Sequence, residues 1–182
     1  LHFAGQNLWL SALLMIPMAQ LFALEFTAPI MVALLAPAVL GERLTRTRLF
    51  AAMLGFTGIL IVARPFGAAG LSLGLGVALL AAVGFAGAAI LTKRLTWIVS
   101  VLCILFWLTL SQTIFGLICA GWDGAIALPS LRILPWVLLM GVAGLVAHLC
   151  LTKALSLAPA TIVTPIDFLR LPIIAIVGML FY

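Results

Sequence analysis

The stretch 95–122, LTWIVSVLCILFWLTLSQTIFGLICAGW, runs 28 residues without an Asp, Glu, Lys or Arg. A hydrocarbon core about 30 Å thick is crossed by roughly 20 helical residues, so this run spans a bilayer with residues to spare. The stretch before it, 65–92, is uncharged over the same length. The rest of the chain keeps this character: of 182 residues, 66% are hydrophobic and 7% are charged, against roughly 45–50% and about 25% in soluble domains. A soluble globule is excluded. Spans of about 20 residues with loops of about six divide this length into seven crossings. Apolar runs and their breakers place them near 1–16, 19–40, 48–64, 71–92, 97–122, 133–157 and 161–182. A membrane barrel needs alternating strands with polar inward faces, and the Gly, Ala and Leu runs do not alternate, so the fold class is an all-α, multi-pass transmembrane helix bundle.

Charge reports topology rather than a polyanionic partner. The net charge is +5 and the pI about 9.9, but nine basic residues scattered over seven spans form no stripe, so nucleic acid is not an expected partner. Loops after the second and fourth segments hold Arg43, Arg46, Arg48, Lys93 and Arg94, whereas those after the first, third and fifth hold Arg64 and Arg132. The positive-inside rule makes the first set cytoplasmic. Trp97 and Trp122 bracket the fifth segment and read as interfacial belt residues, about 37 Å apart along a helix. Cys103, Cys119 and Cys150 lie in apolar segments and imply no disulfide. His148 and Cys150, two residues apart, point to different faces, so no metal site and no cofactor are expected. Leu1 is not an initiator Met and the chain stops inside a hydrophobic run, so the sequence reads as an internal fragment.

A faint internal repeat carries more information. A shift of 142 residues places Ala12 on Ala154, Pro17 on Pro159, and Glu25-Phe26 on Asp167-Phe168, with Pro29 one residue from register with Pro172. The shift moves the first two segments onto the sixth and seventh. An odd number of crossings separates the copies, so they are inverted, and inverted-topology repeats are a transporter architecture. With five helices per repeat, the parent chain has ten, of which seven are present. The first repeat ends near residue 67, giving 1–67 as three of its helices and 68–182 as four of the second.

These residues resemble a known family. The stretches Pro29-Ile30-Met31-Val32-Ala33-Leu34-Leu35, Leu40-Gly41-Glu42-Arg43-Leu44-Thr45 and Leu54-Gly55-Phe56-Thr57-Gly58-Ile59-Leu60 resemble the closing helices of an EamA domain, the repeat unit of the drug/metabolite transporter superfamily. Ala160-Thr161 through Pro165-Ile166-Asp167-Phe168-Leu169-Arg170-Leu171-Pro172 is similar to the matching part of the second EamA domain. The resemblance spans essentially the whole chain and implies a carrier, but its motifs are turn and packing signatures that do not name a substrate. The glycine-acid pair expected after the last segment falls beyond Tyr182.

Ionisable residues inside apolar spans face a bundle interior or a watery cavity by default. Glu25 and Asp167 each lie roughly 9–10 Å into their helices from the turns at Ala19 and Ala160. The alternatives are snorkelling for Glu25 and a pair with Arg170 for Asp167. Arg170, about 15 Å from its turn, needs a carboxylate partner. Lys153 has a stem long enough to snorkel to the cytoplasmic interface, and Gln6 and His148 coincide in the repeat, each about ten residues before its turn proline. Pro29 and Pro172 lack the donors that would bond the carbonyls four residues back, so both should kink their helices beside the acids. Trp9 and Trp107 are mid-helix, with packing or cavity stacking as their roles, and Gly84, Gly87, Gly55 and Gly58 permit close helix approach.

The expected function is a secondary transporter (permease) moving a small polar metabolite, amino-acid-like if both signs of charge line one cavity, in either direction by alternating access. A channel or structural subunit is the alternative, and an intramembrane enzyme a third. No HExxH, paired intramembrane catalytic Asp, serine with a plausible base, selectivity-filter loop or nucleotide-binding loop is visible. The expected partners are a small-molecule substrate and the lipid bilayer, with no ATPase motif in this chain and a homodimer left open. A bacterial cytoplasmic (inner) membrane is the expected location.

Overall fold

A computed structural model describes residues 1–43, 45–63, 72–122, 129–166 and 169. The protein is all-α: among the described residues there are eight helices and no strand. They are α1 (His2–Leu13), α2 (Met18–Glu25), α3 (Thr27–Leu40), α4 (Arg46–Ala63), α5 (Leu73–Leu95), α6 (Val101–Ala120), α7 (Leu134–Leu157) and α8 (Ala160–Ile166). Among the described residues, four stretches are long and apolar enough to cross a bilayer: Gln20–Leu40, Leu73–Leu95, Val101–Ala120 and Leu134–Leu157. The chain forms two compact units, Leu1–Leu91 with Ala158–Tyr182, and Thr92–Leu157.

In the first unit α1 closes with the amides of Met15 and Ile16 both donating to the Ala12 carbonyl, at 2.9 and 3.0 Å. Pro17 is then extended (φ −56°, ψ 141°) and starts α2, its carbonyl accepting from Gln20 and Leu21. Ala12, Ile16, Leu21 and Leu24 meet Leu75 and Ala78 of α5 in one buried cluster, flanked by Trp9, Leu13 and Val77. Small residues bring α1 onto α5: a Cβ added at Gly84 would lie 3.0 Å from the Gly5 Cα, and one at Gly5 would meet the Ala81 carbonyl oxygen and the Phe85 ring at 3.2 Å. Close backbone approach of this kind is how helices gain dispersion contacts where lipid tails compete for apolar surface.

The second crossing is two helices rather than the single bent one expected. The break falls at Phe26, three residues before Pro29, where the proline offers no N–H to the Glu25 carbonyl. The Thr27 hydroxyl donates to the Leu24 carbonyl at 2.6 Å and satisfies one acceptor at the interruption. α3 ends on Gly41, in the left-handed region at φ 66° where a Cβ would be strained. α3 packs against α4 and α8, and α4 also against α2. The buried side of α3 is Ala28, Val32, Ala33, Ala36 and Leu40, and α8 contributes Ala160, Thr161, Val163 and Thr164.

In the second unit the Ser100 hydroxyl caps α6, accepting from the Cys103 amide at 3.3 Å, and α6 packs along α7. Lys93 corrects the sequence reading, which places it in a loop. It lies in the last turn of α5, is 8% exposed, and its ammonium donates to the Leu155 carbonyl at 2.6 Å. Leu155 is in the last turn of α7, where carbonyls lack intrahelical partners and a cation has the right sign for the helix dipole. Along α7, large apolar side chains such as Trp136, Leu138, Met140 and Val142 are exposed. Such a surface requires hydrocarbon or further helices around it.

Candidate functional site

Folding α2 back on α1 at Pro17 brings residues equally distant from the proline level with one another. Trp9 and Glu25 are each eight residues from it. The indole Nε1–H of Trp9 donates to Glu25 Oε2 at 2.7 Å. The ring is fixed independently: it sits edge-on to Phe22, centroids 5.8 Å apart at 64°, and leans on the buried cluster of α1, α2 and α5. Glu25 is half-buried and is the last residue of α2 before the break. A carboxylate at a helix interruption inside an apolar span combines a charge-bearing group with backbone that has left the helical ladder, the arrangement in which carriers build substrate and ion sites. Trp9 therefore does more than pack: it holds one oxygen of the acid.

Of the other residues singled out in the sequence, Pro29 is buried at the start of α3, and Gln6 is exposed on α1, one turn before Trp9. His148, half-buried, and Lys153, exposed, belong to α7 in the other unit. Asp167, Arg170 and Pro172 lie outside the described residues. Among the described residues no group of three or more His, Cys, Asp or Glu is placed to hold a metal ion.

Sequence reasoning placed Glu42 in a charged loop and in the EamA-like stretch Leu40-Gly41-Glu42-Arg43-Leu44-Thr45, and missed it as a structural partner. Its Oε1 accepts from the Ala160 amide at 2.7 Å, and its Oε2 from the Thr161 amide at 3.0 Å and the Thr161 hydroxyl at 2.7 Å. The carboxylate thus caps the first turn of α8 from 118 residues away, with the sign the helix N-terminus favours. The available signal was an acid directly after a helix-ending glycine, together with orphan amides that must exist after Pro159. Nothing local in the sequence joins the two.

Residues 1–64 match the profile of the EamA-like transporter family. The chain is 34% identical over 184 residues to a riboflavin transporter of Rhizobium johnstonii, covering 98% of this chain and 58% of that protein. It is 33% identical to a riboflavin transporter of Brucella anthropi, covering 98% and 64%. It is 27% identical to an S-adenosylmethionine uptake transporter of Rickettsia bellii, covering 97% and 60%. The chain thus spans about three fifths of the length of the curated relatives it matches. No solved structure matches it. Crossing-length apolar helices, the family profile on the first 64 residues and similarity along nearly the whole sequence agree: residues 1–64 belong to the EamA-like transporter family, the rest of the chain is similar to the same transporters, and the chain is an integral membrane protein.

Proposed function

We propose that this chain is part of a secondary transporter that moves a small polar organic metabolite across a bacterial cytoplasmic membrane by alternating access. The observation that carries this reading is Glu25, a carboxylate held by Trp9 at a broken helix within an apolar crossing. Beyond its bond to Trp9, a carboxylate at that position can receive a cationic or hydrogen-bonding group of a substrate, or a coupling proton. The relatives support the size and polarity of the cargo, since riboflavin and S-adenosylmethionine are both small, polar organic molecules. A relative named as a pseudopaline exporter, from Pseudomonas aeruginosa and 29% identical, leaves the direction of flux to experiment.

The same proposal includes the ten-helix plan of two inverted repeats, with 1–67 in the first and 68–182 in the second. It assigns Gln6, Glu25, His148, Lys153, Asp167 and Arg170 to the substrate and proton pathway, with kinks at Pro29 and Pro172 shaping it. Uptake and counterflow of labelled riboflavin, S-adenosylmethionine and related metabolites in proteoliposomes of the full-length protein test it. Saturable counterflow that Glu25→Gln lowers at least tenfold, with folding intact, is the expected result. Flux that is unsaturable, or saturable and indifferent to Glu25→Gln, removes either the carrier mechanism or this residue from it.

A further inference from the structure

Glu42 joins two parts of the chain that the repeat pattern assigns to different halves, and its setting suits a contact that opens. Thr161 is 1% exposed and Ala160 is fully buried, so the donors are dry. Glu42 itself is half-buried between exposed Gly41 and Arg43, so its carboxylate reaches water by a short swing. Gly41, at φ 66°, carries no side chain beside Glu42 to block that swing. The three donors named above are groups that water can satisfy once they separate: two amides of a first helical turn and a hydroxyl. The faces beneath carry small to medium residues, Val32, Ala33, Ala36 and Leu40 on α3 and Ala160, Thr161, Val163 and Thr164 on α8, and packed helices of this kind shift by small sliding shear.

We propose that Glu42 is a positioning residue of the transport cycle, a latch that holds α8 against the α3–α4 corner in the state seen here and releases it in the opposite-facing state. This rests on the alternating-access reading above and adds which contact must break. Its bonds are charge-assisted, so losing them shifts the balance between the two states.

The test needs no substrate. Spin labels are placed at exposed Thr47 of α4 and exposed Ile162 of α8, in a cysteine-free version of the full-length protein in nanodiscs, and the inter-label distance distribution is measured. With Glu42 intact a short distance dominates. Glu42→Gln loses the charge and a second strong acceptor, and raises the ratio of long- to short-distance populations roughly tenfold, the change that about 1.4 kcal/mol represents. Thr161→Val, nearly isosteric and removing one of the three bonds, raises the same ratio by a smaller factor and serves where Glu42→Gln fails to fold. An unchanged distribution in the folded variants overturns the latch and makes Glu42 a static cap. That result leaves the transport reading standing, because counterflow and its dependence on Glu25 are measured separately.

Discussion

Trp9 has one polar atom, which only donates, and the Glu25 carboxylate offers only acceptors, so the 2.7 Å bond between them has a single possible polarity. Trp9→Phe keeps the ring against Phe22 and deletes the donor. The expected loss is about 1.5–3 kcal/mol of stability, the range for hydrogen bonds to charged groups, read from denaturant midpoints in mild detergent. In a Glu25→Gln background the same change costs less, because the charge-assisted part is already gone, and that coupling is the signature of a direct bond. Equal costs in both backgrounds mean that the indole contributes packing alone. Lys93 teaches a related lesson about reading residues one at a time. A charge after an apolar run marks a loop by composition, yet a four-carbon stem buries easily and the ammonium finds the Leu155 carbonyl. The sequence contains the lysine but not the carbonyl 62 residues on that accepts from it.

Among the elements, the apolar runs located the helices well because a crossing length is a strong constraint: α4, α6 and α7 fall within a few residues of their expected limits. The interruption near Pro29 was legible from proline's missing donor, and its placement at Phe26 follows from which carbonyl loses its partner. The α1–α5 contact was legible only as a set of glycines without partners. Gly84 meets backbone atoms of Gly5 at 3.0 and 3.3 Å, while Gly58 of α4 has none of the described residues within 4 Å of where a methyl group would sit. Gly84→Ala therefore forces main chain against main chain and is expected to destabilise by about 1–3 kcal/mol. Gly58→Ala adds helix propensity in open space and is expected to be neutral or stabilising by up to about 1 kcal/mol. Melting temperatures of the two variants side by side check this, and equal destabilisation by both discards the close α1–α5 approach. The cap on α8 was not legible at any level, since long-range pairing of an acid with backbone amides leaves no periodicity or spacing to detect.

At the scale of the whole molecule, hydrogen bonds fix which helix ends share a membrane face. The end of α3 and the start of α8 meet through Glu42. Four helices intervene, α4 to α7; an odd number of crossings would part the two ends by a hydrocarbon core of about 30 Å, far beyond the reach of a glutamate. Separately, Lys93 near the end of α5 bonds to Leu155 near the end of α7, with two crossings between them. Each bond, within its own unit, joins helix ends an even number of crossings apart, and the sequence parity assigns Arg43, Arg46, Arg48, Lys93 and Arg94 to one side and Arg64 and Arg132 to the other. The bias is five to two, and by the positive-inside rule the richer face is the one expected to be cytoplasmic. Arg46 opens α4 and Ser130 precedes α7, and both are exposed. In intact cells carrying a cysteine-free full-length protein, Ser130→Cys should therefore react with a membrane-impermeant maleimide, and Arg46→Cys only after the membrane is permeabilised. The opposite pattern inverts the molecule while leaving the shared faces intact, because the hydrogen bonds set which ends lie together and the charge bias alone sets which way they point.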